Sequence, residues 1–229
     1  MKKVIAFSLW GDNPKYTNGL IANLELANKY YPDFECWFYI HKDTVPTKII
    51  DDLIKSGHNN YKIIYVEGNL SKLKPMTWRF EPIDDSDVSV LLSRDLDSRI
   101  TEREVIAVNE WLLTDKLFHI MRDHPTGHNA KILGGMFGTR KINTIPSWKT
   151  LINKYCKNGL EYNLDQLFLA NYIYPIILPF AIVHTTFTKY PNEFVKSFIP
   201  YDKDLHFVGE VYEIDGRNKQ HLELLKKYL

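Results

Sequence analysis

The sequence has few cysteines, no long apolar run and no excess of charge of either sign. Its 229 residues include two cysteines, 29 Lys and Arg, and 28 Asp and Glu, which leaves a formal charge of +1. Two cysteines build neither a disulfide framework nor a zinc site, so a reducing compartment is the default expectation. A net charge near zero excludes a broad basic surface for nucleic acid, and any recognition of phosphate must be local.

The apolar stretches are too short to cross a membrane. The N-terminal run ends at Gly11 without the small-residue cleavage site of a signal peptide, so we interpret residues 4–9 as a first strand. Residues 172–183 are also too short to span a bilayer, and they contain Pro175 and Pro179. We therefore expect no integral membrane segment and a cytoplasmic location.

The first hundred residues alternate strand and helix patterns, which is typical of a parallel sheet with helices on both faces. Strands are predicted at residues 4–9, 34–40, 61–66 and 88–92, and helices at 14–30, 46–57 and 74–80. The less regular second half predicts strands at 117–121 and 131–139, and helices at 102–113, 146–155, 163–172 and 219–229. The length suits one domain over 1–229, so we expect a single α/β domain with a mixed, mainly parallel central sheet.

Two aspartates follow the apolar strand pattern at residues 88–92. Asp95 and Asp97 lie in the segment SRDLDSR, at the carboxyl end of a strand, where open α/β sheets bind ligands. Two acids in a cleft repel each other, and a divalent cation removes that repulsion and leaves coordination positions for a phosphate. The flanking Arg94 and Arg99 add positive charge that could face the same anion. The alternative is an ordinary turn, because Asp and Ser favour turns.

Other polar residues also stand at the ends of predicted elements. The segment SLWGDN, residues 8–13, follows the first strand, the pair Asp165-Gln166 opens an apolar helix, and His184 follows a short strand. Between strands, Asp123 belongs to a polar loop for which we expect a position near the site. Because a parallel sheet collects such residues at one edge, these segments are expected to share a cleft.

In this order, the motifs resemble those of the GT-A nucleotide-sugar glycosyltransferases, especially the branch of glycogenin and the bacterial lipooligosaccharide galactosyltransferases. The resemblance covers about residues 3–184 and consists of the D-x-D pair, the glycine-containing stretch GGMFG at 134–138, the D-Q pair and the late His. The wording RDLDSR, together with HIMRDHP at 119–125, also resembles small viral and bacterial glycosyltransferase-like proteins of this fold.

The resemblance implies a Rossmann-like GT-A fold, a UDP-linked sugar as donor, a glycan or other hydroxyl as acceptor, and Mn²⁺ or Mg²⁺ as cofactor. It implies metal ligation by Asp95, Asp97 and His184, and places Asp165 and Gln166 beside the reacting carbon of the sugar. The residues expected to bind the donor are Leu9, Trp10, Asp12, Arg79, Arg94, Asp95, Asp123, Gly134 and Gly135. Residues 1–100 would then bind the nucleotide, and residues 101–229 the donor sugar and the acceptor.

Three points stay open at the level of sequence. Related enzymes carry a glycine and a Lys-Pro after the late His, whereas Lys189 is shifted here and no glycine precedes it. Inversion follows if Asp165 deprotonates the acceptor, and retention if Gln166 flanks the leaving side of the sugar. The competing functions are a phosphotransferase with a nucleophilic Asp95, and a nucleotide-sugar-binding module without catalysis.

Overall fold

The first strand, β1 (Lys2–Leu9), lies in the middle of the sheet because both of its faces are apolar. Ile5 and Phe7 pack into the core on one side of the sheet, and Val4 and Ala6 into the core on the other. A strand with two apolar faces needs cover on both sides. The computed structural model describes residues 1–142, 146–160 and 163–229.

The central sheet has eight strands in the order β3-β2-β1-β4-β6-β5-β7-β8, and a separate ribbon pairs β9 with β10. The remaining strands are β2 (Phe34–His41), β3 (Tyr61–Val66), β4 (Val88–Arg94), β5 (Phe118–Arg122), β6 (Met136–Arg140), β7 (Ala181–Thr185), β8 (Val195–Lys196), β9 (Tyr212–Glu213) and β10 (Gly216–Arg217). Every pair in the central sheet is parallel except those that β6 makes with β4 and β5. This arrangement confirms the predicted α/β fold with a mixed, mainly parallel sheet.

The helices cover both faces of that sheet. They are α1 (Pro14–Tyr30), α2 (Thr47–Lys55), α3 (Glu102–Leu112), α4 (Trp148–Tyr155), α5 (Leu164–Phe168), α6 (Tyr174–Ile177) and α7 (Lys219–Lys226), with 3-10 helices at Leu70–Lys72, Pro75–Asp84 and Leu178–Phe180. In α1, Leu20, Leu24 and Ala27 form one buried stripe at helical spacing, and the side chain of Asn13 caps the first turn. In the first hundred residues, the strand and helix ends agree with the sequence prediction within two residues, except that the short helix at 74–80 extends to Asp84.

The second half departs from prediction at several places. The C-terminal helix ends at Lys226 rather than at residue 229, and the short strands β8, β9 and β10 were not predicted. The strand expected at 131–139 begins only at Met136, because the preceding glycines form a turn at the edge of the sheet. The helix expected at 163–172 is interrupted by a π-helical segment, Leu169–Ile173. Pro175 follows that segment, and a proline inside a helix removes one backbone donor and clashes with the carbonyl four residues earlier.

The antiparallel strand β6 explains how distant segments reach one edge of the sheet. Arg94, the last residue of β4, pairs with Met136, the first residue of β6. The turn before β6 therefore lies beside the loop that follows β4. Among the described residues, no helix is both long enough and apolar enough to span a membrane.

Candidate functional site

A cleft of about 740 Å³ opens at the carboxyl ends of β1 and β4. That volume lies within the range of small-molecule sites. The lining residues come from both halves of the chain and are Ser8, Leu9, Trp10, Gly11, Asp12, Asn13, Lys15, Tyr16, Met76, Arg79, Asp95, Leu96, Asp97, Asn163, Asp165, Gln166, Val211, Glu213, Asn218 and His221. The structure thus brings together the predicted residues of the first loop, Arg79, the D-x-D pair and the D-Q pair.

The loop that carries the two aspartates is fixed against α1. Gly19 leaves room for the carbonyl of Leu96, which a Cβ at that position would overlap. The Asn23 side chain donates to the Ser98 carbonyl over 2.9 Å. Arg99 donates to carbonyls of the same loop, so its guanidinium holds the loop together. The loop that carries the two carboxylates is therefore held in place by its packing against α1.

Arg79 links the D-x-D pair to the D-Q pair. Its guanidinium donates through Nη1 to Asp95 Oδ1 and, over 2.6 Å, through Nη2 to Asp165 Oδ2. The backbone N–H of Arg79 donates to Ser8 Oγ over 3.1 Å, which ties the 3-10 helix to the end of β1. Burial raises the pKa of Asp165 against the opposing effect of Arg79. One buried cation therefore sets the relative positions of two acids from different parts of the chain.

The glycines before β6 make room for these acids. A Cβ on Gly134 would collide with the carboxylate of Asp165 and the guanidinium of Arg79. A Cβ on Gly135 would collide with the carboxylate of Asp95. Both glycines were predicted to contact the donor, but their closest neighbours in the structure are the acidic side chains. Their small size thus shapes the site through Asp95, Asp165 and Arg79.

Gln166 lies at the start of α5 beside Asp165. Its backbone N–H donates to Asp165 Oδ1 over 2.9 Å, and its side-chain amide donates to Asn163 Oδ1 over 3.2 Å. Asn163 has a positive φ of 62°, a conformation that asparagine tolerates better than most residues. The turn before α5 therefore presents both members of the D-Q pair to the cleft.

Asp97 faces a different cation. Its Oδ2 lies 3.5 Å from the ammonium of Lys15, which also lies 3.3 Å from Glu213 Oε1. Burial, with a further contribution from the charge of Asp95, raises the pKa of Asp97 to about 6. The charged form of Asp97 is thus destabilised by burial and by the negative charge of Asp95, and a bound cation would remove this destabilisation.

The C-terminal segment crosses the D-x-D loop. The Tyr212 N–H donates to the Asp97 carbonyl over 2.7 Å, and Val211 forms an isolated bridge with Ser98. This crossing brings Glu213 and His221 into the cleft, together with Asn218. Sequence reasoning left the role of this tail open and missed these residues and Lys15. Lys15 stands one turn beyond the first strand, a position that could have indicated it.

The loop after β1 forms the other end of the cleft. The ring of Trp10 packs edge-on against Trp78, with centroids 6.2 Å apart. Trp78 in turn stacks on His41. The Gly11 N–H donates to Thr44 Oγ1 over 2.9 Å, so that donor is already satisfied by the protein. This end of the cleft is therefore an aromatic wall with the side chain of Asp12 beside it.

The structure does not bring His184 to the two aspartates, which corrects the predicted three-residue metal shell. His184 lies within β7, is fully buried, and is absent from the residues that line the cleft. Its Nδ1 lies 2.8 Å from His119 Nε2, and its Nε2 lies 2.9 Å from Glu110 Oε2. Both ring nitrogens thus have protein partners, and the side chain links β7 to β5 and α3.

Arg94 is a second correction, because its side chain turns into the core. Its Nε donates to Glu104 Oε1 over 2.7 Å, and its Nη1 donates to the carbonyls of Ser93 and Phe137. The residue is buried and does not line the cleft. The arginine before the D-x-D pair therefore joins β4 to β6 and α3.

Asp123 is a third correction. Its carboxylate accepts hydrogen bonds from Arg103, Thr186 and Tyr201, and from the Val208 N–H. The side chain is fully buried. Asp123 was expected near the site as a contact of the donor, but it does not line the cleft, and the tail covers it. Its carboxylate anchors that tail.

The donor set in the cleft suits a hard divalent cation. Among the described residues, no group of three or more His, Cys, Asp and Glu side chains could hold a metal ion. The two carboxylates of the D-x-D pair, Asp95 and Asp97, face the same cleft. Mg²⁺, and Mn²⁺ in similar oxygen-rich sites, commonly binds through one or two carboxylates and completes its shell with water and substrate phosphates. The residues present fit such a shared site.

Three solved structures illustrate what this chain is similar to. The galactosyltransferase LgtC, in complex with donor and acceptor sugar analogues, matches with a TM-score of 0.49 and 14% identity, over 79% of this chain and 73% of that chain. A glycosyltransferase involved in glycosylation of the major capsid of PBCV-1 matches with a TM-score of 0.46 and 14% identity, over 81% and 82%. The 4-diphosphocytidyl-2C-methyl-D-erythritol synthase of Anaerococcus prevotii matches with a TM-score of 0.47 and 16% identity, over 83% and 89%.

Glycosyltransferases of the kind that the motifs resemble are thus among the solved structures similar to this chain, beside a synthase. At 14–16% identity, the likeness is one of fold. No protein-family model matches the chain, and no curated protein matches its sequence.

Proposed function

We propose that this chain transfers a sugar from a nucleoside diphosphate sugar, UDP-linked in the first instance, to a hydroxyl of a glycan acceptor. The observation that carries the proposal is the Arg79 bridge between Asp95 and Asp165 inside the cleft. It joins Asp95, one of the two acids proposed to hold the metal, to Asp165, the acid that the resemblance implies lies beside the reacting sugar. Mn²⁺ or Mg²⁺, held by Asp95 and Asp97, is part of the same proposal.

The charge of the cleft supports a metal-dependent anionic substrate. The described lining contains five carboxylates and two permanent cations, Lys15 and Arg79. A diphosphate entering such a cleft meets repulsion unless a further cation accompanies it. A divalent ion that binds the protein and the diphosphate together resolves this conflict.

The chemistry needs help to a poor leaving group and to a developing positive charge on the sugar. When bound, the metal supplies a Lewis acid that neutralises charge on the departing diphosphate. Arg79 fixes Asp165, and the Gln166 N–H donates to its other oxygen, so the carboxylate orientation is set before substrate arrives. A carboxylate so placed stabilises an oxocarbenium-like sugar or accepts the proton of the attacking hydroxyl.

The proposal assigns the nucleoside to the aromatic end of the cleft. Trp10 offers a partly exposed ring, and Asp12 offers a carboxylate that can accept hydrogen bonds from a ribose or a base. The sugar then lies towards Asp165 and Gln166. The two ends correspond to the two parts of a nucleotide-sugar donor.

A thermal-shift panel tests donor recognition. UDP-, GDP-, dTDP- and CMP-linked sugars are each added to the wild type with and without Mn²⁺, because a ligand of the folded state raises the melting temperature. We expect one nucleotide class to give a metal-dependent shift. Asp97→Asn should abolish it, and Asp51→Asn, which alters an exposed carboxylate on α2, should retain it. No shift with any donor in the presence of metal would contradict the proposal.

Two further readouts separate the competing functions. A binding module shows the donor-dependent shift but releases no nucleoside diphosphate. A phosphotransferase forms an aspartyl-phosphate that mass spectrometry would locate at Asp95. The configuration of the transferred sugar, measured by NMR of the product, then decides between inversion and retention.

A further inference from the structure

Lys15 is the second permanent cation, beside Arg79, among the described residues that line the cleft. It lies on the first turn of α1, and its ammonium is between the carboxylates of Asp97 and Glu213, at 3.5 and 3.3 Å. Its side chain is 23% exposed, so it contacts the open part of the cleft. Asp97 and Glu213 outweigh burial and raise the pKa of Lys15 above its ordinary value, which keeps the group charged.

Arg79, the other permanent cation in the described lining, is held by its present partners. Both terminal nitrogens of Arg79 are bonded to carboxylates, and its side chain is 9% exposed. Among the described lining residues, Lys15 is therefore the permanent cation whose partners can change without breaking a buried network. Its flexible four-carbon stem allows the ammonium to change partners within the cleft.

Among the described lining residues, none is a lysine from the segment that follows β7. Lys189, the lysine nearest to the position that the family pattern reserves for a phosphate contact, is exposed and does not line the cleft. A diphosphate in this cleft would therefore find Lys15 as the one flexible ammonium among the described lining residues.

We propose that Lys15 has two alternating partners, Asp97 in the empty cleft and the diphosphate of the donor once a divalent ion occupies the two aspartates. This inference rests on the proposed function and deepens it by naming a residue that binds the diphosphate. A divalent ion on Asp97 cancels the attraction that holds Lys15 and repels the ammonium. The diphosphate then offers oxygens that a lysine binds well.

The proposal predicts effects of opposite sign on two ligands. In Lys15→Met, which keeps the length of the side chain without its charge, Mn²⁺ alone should bind about three- to tenfold more tightly, because no protein cation competes for Asp97. UDP in saturating Mn²⁺ should bind about tenfold or more weakly, because a charge-assisted contact is lost. Electron paramagnetic resonance of free Mn²⁺ and calorimetric titration of UDP measure the two affinities, with GDP as the second nucleotide.

Three further variants make the result specific. Lys48→Met removes an exposed lysine of α2 and should change neither affinity. Lys15→Arg keeps the charge and should recover most of the UDP affinity. Glu213→Gln removes the link between Lys15 and the tail together with one negative charge of the cleft but keeps the ammonium, so UDP should bind at least as tightly as to the wild type.

The outcomes separate this inference from the proposed function. A wild type that binds neither UDP nor GDP in Mn²⁺ contradicts the proposed function. A wild type that binds a nucleoside diphosphate with the same affinity as Lys15→Met overturns the role of Lys15 alone. A parallel loss of Mn²⁺ and UDP affinity, or an equal loss in Glu213→Gln, would also overturn it, because Lys15 would then be a structural link to the tail.

Discussion

Two clusters built around aspartates at the same edge of the sheet differ in how completely their carboxylate oxygens are bonded. The buried cluster surrounds Asp123, and the cleft cluster contains Asp95, Asp97 and Asp165. Asp123 accepts hydrogen bonds from two nitrogens of Arg103, two hydroxyls and one backbone N–H. In the cleft, Asp95 and Asp97 each face a single cation, Arg79 and Lys15. The first cluster is buried under the tail, and the second faces open space.

This difference in hydrogen bonding indicates which acids have a structural role and which can bind a ligand. A carboxylate that accepts five hydrogen bonds and does not line the cleft, as at Asp123, holds elements together, and replacing it leaves buried donors unsatisfied. A carboxylate with spare oxygens in a cleft retains the capacity to bind a ligand. Asp123 and the D-x-D pair are the same residue type and follow strands at the same edge of the sheet, so residue identity alone did not separate them.

The largest expected effect belongs to the cleft cluster. Asp165→Asn should lower turnover about a hundredfold to ten-thousandfold, because the amide cannot accept a proton or balance the charge of the sugar. The Michaelis constant for the donor should change much less. Steady-state kinetics measure both quantities, with Asp51→Asn as the control. An unchanged turnover would remove Asp165 from the chemistry.

The next effect belongs to the buried cluster. Asp123→Asn should lower the free energy of unfolding by about 3–5 kcal/mol, because Arg103 would lose its buried countercharge. Urea denaturation measures this loss. Turnover per folded molecule should stay close to the wild type, because Asp123 does not line the cleft. A stable variant with lost donor binding would move Asp123 into the ligand site.

His184→Gln tests the correction of the metal shell. The substitution should cost about 1–3 kcal/mol of unfolding free energy, since His119 and Glu110 each lose a buried partner. The affinity for Mn²⁺, measured by electron paramagnetic resonance, should equal that of the wild type. A weakened Mn²⁺ site in a folded variant would restore His184 as a ligand.

The smallest effect concerns the stability of the metal-free protein. Because the pKa of Asp97 is raised to about 6, the fold favours its protonated form, and this stabilisation is present below pH 4 and lost as the pH rises through 6. At pH 7, Asp97→Asn should therefore melt a few degrees higher, at about 2–4 °C per kcal/mol. The gain should shrink towards pH 4. Calorimetry at several pH values measures it, and a lower melting temperature at pH 7 would count against the strained carboxylate.

Local patterns were sufficient for the parts of the fold that depend on neighbours in sequence. The strand β4 and the acids after it follow from one apolar run and its polar end. The convergence of Trp10, Asp95 and Asp165 at one edge follows from the parallel topology that the alternating pattern indicates. Arg79 was predicted as a donor-binding residue through the family resemblance rather than through any local signal.

The remaining features depend on contacts between distant segments. His184 is engaged because β7 pairs with β5 and puts the ring against His119. Asp123 is covered because residues of the tail donate to it, and Glu213 reaches the cleft because Tyr212 bonds to the Asp97 carbonyl. These contacts give no signal in periodicity or spacing, because they join segments that are distant in the sequence.

The central claim is that this cleft cleaves nucleotide-sugar donors with the help of a divalent cation. The most direct measurement is the release of nucleoside diphosphate from a donor panel by the wild type and by Asp95→Asn, in Mn²⁺ and in a chelator. The account predicts release from one donor class by the wild type in Mn²⁺, and loss of that release in the chelator or in the variant. A wild type that binds a nucleoside diphosphate but releases none from any donor, or whose release persists in Asp95→Asn, would contradict it.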